Sequence, residues 1–167
     1  MRGDEILPFL IFRYRLAAFC LFSHFYGMAI TFHFDHITKP SFFKAIPVKK
    51  WLRTIAANEG FSIRELNYIF MSDEGLHAIN MEYLNHDTYT DIITFDNSDT
   101  SGKIESDIFI SLERVAANAE KFSTSFENEL LRVMAHGVLH LCGYKDKKKA
   151  EAELMRRKEE ACLTLWT

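Results

Sequence analysis

The chain has 167 residues, the usual size of a single domain. At 48% hydrophobic and 26% charged it carries enough apolar surface to offset the entropy lost on folding, which excludes a disordered chain. Its formal net charge of −3 excludes a uniformly basic nucleic-acid coat, so any RNA contact must rest on a local basic patch.

Fifteen Phe residues predict an aromatic-rich core. Cys20, Cys142 and Cys162 show no CxxC spacing, and an odd count without a framework pattern points to free thiols in a reducing compartment. Cys142 stands close to His140 in sequence, which invites a metal-ligand reading. We read it as a small buried hydrophobe, the commoner role of a free cysteine.

Residues 1–27 do not share the patterning of the rest of the chain. Two apolar runs, Ile6–Phe12 and Leu16–Phe22, are split by Arg13 and Arg15, and neither reaches the ~20 residues that span a bilayer. A signal peptide is one reading. The favoured one is an upstream extension before a natural start at Met28, because regular patterning begins there. The domain is then expected to span residues 28–167.

From Ala29 to Asp35 apolar and polar residues alternate, the mark of a half-buried strand. Pro47 suits a first helical position, and Val48–Asn58 carries helical spacing through Trp51, Leu52, Ile55 and Ala56 to a stop at Gly60. Leu66, Tyr68 and Phe70 alternate as a second strand. Ser72 is an expected cap for a helix to about Leu84. Ile92–Phe95 and Asp107–Ser111 read as two strands joined by a turn-rich loop, and so as an antiparallel pair.

The remainder reads as helical. Ser111 can cap Leu112–Phe122, and Thr124 with Glu127 has the spacing of a capping box opening a helix from Ser125 to about Leu141. Gly143 supplies the stop, and Lys147–Leu165 forms a last charged helix. The expected fold is α+β: one domain with a small, about four-stranded mixed sheet packed by several helices, and a metal site at the end of a helix.

That site lies in the run from His136 to Asp146. Residues four apart on a helix share a face, so His136 and His140 can both reach one ion. After the stop at Gly143, Asp146 can add an oxygen ligand from a loop. Two His and one carboxylate leave a fourth position for water, as in a catalytic zinc site. Spacing alone leaves a second reading open, in which both imidazoles are satisfied core residues. Gly137 stands where the zinc proteases place their Glu, which argues against a peptidase and leaves the general base unassigned.

The run HGVLHLCGYKDK resembles the signature of the YbeY-type bacterial rRNA-maturation endoribonucleases, HGxLHLxGYDH. Ile79–Tyr83, Thr90–Phe95 and Asp107–Ser111 resemble further segments of that family, in the same order. The resemblance runs from about Met28 to the C-terminus. Three positions depart from the pattern: Asp146 replaces the third metal-binding His, Lys145 replaces an Asp, and Leu84 replaces an Arg. Carboxylate oxygen is a competent zinc ligand, so the first is read as a change of ligand type.

The resemblance implies one Zn2+ per chain at His136, His140 and Asp146. It also implies single-strand-directed hydrolysis of ribosomal RNA in small-subunit maturation and ribosome quality control, association with the small ribosomal subunit, and a cytoplasmic, membrane-free location. Attack by the RNA's own 2′-hydroxyl is an alternative to attack by water. A metal-stabilised ribosome-associated binding factor without turnover is the competing function, with a zinc peptidase behind it.

Lys145, Lys147, Lys148 and Lys149, continued by Arg156, Arg157 and Lys158, read either as a phosphate-binding surface or as a solvated mixed-charge face, since Glu151, Glu153, Glu159 and Glu160 interleave. Asp91 and Asp107 are expected to cap strand ends. His24, His33, His36, His77 and His86 lack ligand spacing and are taken as ordinary residues.

Overall fold

The computed structural model describes residues 29–166, so the expectations on residues 1–27, Cys20 and His24 lie outside the described residues. Four strands, β1 (Ala29–Phe34), β2 (Ser62–Met71), β3 (Ile92–Asp96) and β4 (Lys103–Ser111), form one sheet in the order β1-β2-β4-β3. The β1–β2 and β2–β4 pairs are parallel, and β3 runs antiparallel to β4, as its turn-rich connection predicts. Five helices complete the described residues: α1 (Ala45–Asn58), α2 (Asp73–Leu84), α3 (Leu112–Lys121), α4 (Phe126–Leu141) and α5 (Lys149–Thr164).

The two faces of the sheet do different work. Leu66, Tyr68 and Phe70 of β2 and Ile104, Ile108 and Ile110 of β4 face the main core, with Trp51 and Leu52 of α1, Met134 and Val138 of α4, and Met155 of α5. The alternate residues Ile69, Met71 and Phe109 join Leu76 and Ile79 of α2 in a smaller cluster on the other face. Two polar side chains lock the main core: the Tyr68 hydroxyl donates to the Met134 carbonyl at 2.9 Å, and Trp51 Nε1 donates to the Cys162 carbonyl at 2.8 Å. Stacked and edge-on rings of Phe32, Phe34, Phe43 and Phe70 bear out the aromatic core.

Some boundaries move. The first helix begins at Ala45, which puts Pro47 at its third position, still within the turn whose N–H groups need no helical partner. Ser125, not Thr124, caps α4 by accepting from the Asn128 N–H; the Thr124 hydroxyl bonds the Asn128 side chain instead. The fourth strand starts at Lys103, so Asp107 lies mid-strand and not at a strand end. Ser72 and Ser111 cap α2 and α3 as their positions predict.

Candidate metal centre

The centre is built on the last turns of α4. Arg132, His136 and His140 recur at four-residue intervals and share one face of the helix. The two imidazole rings stand at 89° to each other, with their Nε2 atoms 2.9 Å apart. Asp146 Oδ2 lies 3.6 Å from the Nε2 of His136 and 3.5 Å from that of His140.

Hydrogen-bond partners dictate what those nitrogens offer. His140 Nδ1 is 2.9 Å from the Tyr144 carbonyl oxygen, which can only accept, so Nδ1 carries the hydrogen. His136 Nδ1 is 2.6 Å from Glu159 Oε1, again an acceptor. In the neutral rings both Nε2 atoms therefore present lone pairs to each other, with a carboxylate oxygen beside them. Two facing lone pairs repel unless a cation lies between them, so the donor set fits a metal ion. A tetrahedral ion with ligands at about 2.0–2.1 Å keeps its ligand atoms about 3.4 Å apart. The separations here, 2.9, 3.5 and 3.6 Å, fall either side of that value. Among the described residues these three side chains form the His/Cys/Asp/Glu group that could hold an ion.

The loop that delivers Asp146 is fixed where it leaves α4. Gly143 adopts φ +95°, a left-handed conformation that ends the helix without a side-chain clash. The Tyr144 N–H then donates back to the Leu139 carbonyl at 3.1 Å. The Tyr144 hydroxyl donates to Glu59 Oε2 at 2.7 Å, and Lys158 Nζ donates to both Glu59 oxygens at 2.9 and 3.0 Å. Burial works to raise the Glu59 pKa, but the bonds from Lys158 and Tyr144 outweigh it and hold the carboxyl below its usual range.

Behind His136 lies a network that pattern reading missed. Glu159, placed by sequence on a solvated charged face, is only 6% exposed. Its second oxygen accepts from Arg132 Nη1 at 3.1 Å. Arg132 is gripped in turn by the two oxygens of buried Glu129, through Nε at 3.0 Å and Nη2 at 2.7 Å. Burial acts to raise the Glu159 pKa, and the His136 bond with the Arg132 charge overcomes it and lowers it. Burial opposes the Arg132 charge too, and Glu129 and Glu159 raise its pKa regardless. A signal was present: Met155, Glu159 and Cys162 fall at helical spacing on the buried stripe of α5.

The other expected residues sort clearly. Lys145, Lys147, Lys148 and Lys149 are all exposed, in the segment that flanks Asp146. Lys158 is instead engaged with Glu59. Asp91 does more than end a strand: it accepts from Asn118 at 3.3 Å and lies 3.9 Å from Arg132. Asp107 bonds Asn67 and Asn97 on the sheet face turned away from α4, so it takes no part in the centre. Cys142 is absent from the ligand group, and burial pushes its thiol up to about 12. His77 stacks on Tyr89 and pairs with Asp87 at 2.9 Å, which fastens the loop before β3. Leu84 is 43% exposed at the end of α2.

A family model described as Endoribonuclease YbeY matches residues 34–167. The chain belongs to the YbeY endoribonuclease family. A YbeY endoribonuclease of Cytophaga hutchinsonii is 54% identical over 134 residues, which cover 80% of this chain and 94% of that protein. One from Bacteroides thetaiotaomicron is 41% identical over 138 residues, covering 83% of this chain and 99% of the relative. The solution structure of a Thermotoga maritima protein shares the fold at a TM-score of 0.55 and 28% identity, covering 83% of this chain and 91% of that one. Membership of the YbeY family makes this chain a hydrolase acting on RNA. Asp146, Lys145 and Leu84 are the positions that depart from the signature read in the sequence, and of these Asp146 stands beside the two histidines.

Proposed function

We propose that the chain is a metal-dependent, single-strand-directed endoribonuclease that acts on ribosomal RNA during small-subunit maturation and ribosome quality control. In this reading one zinc ion per chain is held by His136, His140 and Asp146. The observation that carries it is the pair of Nε2 atoms 2.9 Å apart, each ring with its Nδ1 against an acceptor oxygen, and a carboxylate oxygen alongside. When bound, zinc supplies Lewis-acid polarisation of a phosphoryl group and a nucleophile usable near neutral pH.

The protein's own groups do the rest. Glu159 and the Tyr144 carbonyl orient the two rings, and Gly143 with the Tyr144–Glu59 bond sets the loop bearing Asp146. Lys145, Lys147, Lys148 and Lys149 form the phosphate-positioning surface, where exposed cations attract a polyanion in a salt-dependent way. A Cβ at position 137 would sit 2.9 Å from Ile108 Cδ1 and 3.0 Å from Ile92 Cδ1. That position faces the sheet, so no peptidase-type Glu could be housed there. The endoribonuclease domain spans residues 28–167 with 1–27 as an extension, a boundary supported by the family match starting at residue 34. The cytoplasm is the proposed location and the small ribosomal subunit the proposed partner. Among the described residues no helix is long and apolar enough to cross a membrane.

Elemental analysis of wild type, His136→Ala, His140→Ala and Asp146→Ala, with RNA cleavage on the same samples, tests this. Near-stoichiometric zinc in wild type, lost together with cleavage in all three variants, is the expected result. Metal binding without cleavage in any sample would replace the enzyme by a ribosome-associated binding factor. Full zinc retention in Asp146→Ala alone would remove Asp146 from the ligand set.

A further inference from the structure

We propose that Glu159 is a positioning residue of the metal centre, its carboxylate holding the hydrogen of His136 on Nδ1 so that Nε2 stays free to face the ion, with Arg132 and Glu129 clamping Glu159 in place. The inference rests on the ligand reading above only for what occupies the centre. The orientation of His136 stands on geometry alone.

Three observations carry it. First, Glu159 divides its two oxygens between two tasks: Oε1 is 2.6 Å from His136 Nδ1, and Oε2 accepts from Arg132 at 3.1 Å. Neither oxygen could move to a second partner without abandoning the first. Second, Glu159 is buried on a stripe whose other members, Met155 and Cys162, are apolar. An apolar side chain would pack at that position without the desolvation cost of a carboxylate, so packing alone does not account for a Glu there. Third, the two rings are held by different means. His140 leans on the backbone carbonyl of Tyr144, which comes with the loop whatever the side chains are. His136 leans on a side chain 23 residues away on another helix. Its tautomer is therefore the one a single substitution can release.

The chain is Glu129 to Arg132 to Glu159 to His136, each link a hydrogen bond of 2.6–3.1 Å. Removing an outer partner of a metal-binding imidazole costs about 10–100-fold in metal affinity in comparable sites. Glu159→Gln keeps an oxygen able to accept from His136 Nδ1, but its amide nitrogen cannot accept from Arg132. It should fall between wild type and Glu159→Ala.

The experiment uses the full chain, stripped of metal, and reads the ring nitrogens of His136 by 15N NMR at about pH 9, where a free imidazole is neutral. Zinc affinity is then measured on the same proteins by competition with a chromophoric chelator, with circular dichroism as a check on folding. Wild type and Glu159→Gln should hold His136 with the hydrogen on Nδ1, and Glu159→Ala should move it largely to Nε2. Zinc binding should weaken about 10–100-fold in Glu159→Ala and by a smaller factor in Glu159→Gln. A folded Glu159→Ala that keeps the wild-type tautomer or the wild-type zinc affinity overturns the proposal. Should Glu159→Ala not fold, unchanged zinc affinity in Glu159→Gln overturns it. A wild type that binds no zinc would defeat the ligand reading, while the tautomer, read without metal, would still decide the role of Glu159.

Discussion

The Nε2 atoms of His136 and His140 stand 2.9 Å apart, and each ring has its Nδ1 committed to another group. Asp146, 41% exposed, completes the triangle from the loop. Imidazole is a softer donor than carboxylate and favours zinc over magnesium or manganese. Asp146→His should therefore bind zinc more tightly than wild type and discriminate more strongly against manganese. Chelator competition with both metals checks this, and equal or weaker zinc binding in the variant counts against Asp146 as a ligand.

Gly137 presses its backbone against the sheet. An added methyl would meet Ile108 Cδ1 at 2.9 Å and Ile92 Cδ1 at 3.0 Å, both in packed surroundings. Overpacking costs about 1–3 kcal/mol, against about 1 kcal/mol gained from the better helix propensity of Ala. Gly137→Ala should lose roughly 1 kcal/mol net in urea unfolding. Adding Ile108→Val, which deletes one clashing atom, should restore part of it. A variant as stable as wild type would show that the isoleucines simply give way.

Tyr144 ties the loop bearing Asp146 to the end of α1 through Glu59. Tyr144→Phe deletes a bond to a carboxylate and should cost about 1.5–3 kcal/mol at most, less to the extent that Lys158 still satisfies Glu59. The same variant should release zinc faster, since the loop carrying Asp146 loses an anchor. Thermal unfolding and metal release into excess chelator measure the two effects.

Glu59 and Glu159 both have pKa values held below their usual 4.5. Each binds fewer protons in the folded chain than in the unfolded one near that pH, so folding is favoured while both are ionised. Their stabilisation is fully present above about pH 4.5 and disappears as the pH falls through the lowered values. Cys142 and Cys162, raised from 9.0 to about 12 and about 11, act at the other end: stability should fall as pH rises above 9.0. Urea midpoints across pH check both arms, and Glu59→Gln should flatten the acid one.

Lys147, Lys148 and Lys149 are exposed and follow Asp146 directly in the chain. Each phosphate contact to single-stranded RNA contributes about 0.7 to the slope of log affinity against log salt. Replacing all three by Ala should lower that slope by up to about 2. An unchanged slope would return these lysines to the role of a solvated helix start.

The sequence alone determined whatever depends on neighbours along the chain. Ser72 and Ser111 cap their helices because the side chain reaches an N–H three residues on. His136 and His140 share a face because a helix repeats every 3.6 residues, and Gly143 ends α4 because only a residue without Cβ turns left-handed cheaply. The α+β class and the antiparallel β3–β4 pair follow from strand patterning and a short connection. Tertiary structure decided the rest. Glu159 reaches His136 across 23 residues and Tyr144 reaches Glu59 across 85, so neither contact is written in any local period. Asp107 shares its strand with core isoleucines yet points away from the centre, because register and sheet order assign its face. A charged residue reads as solvated until packing shows which face of its helix is covered. That is why Glu159 and Arg132, rather than His136 and His140, were the residues the sequence could not place.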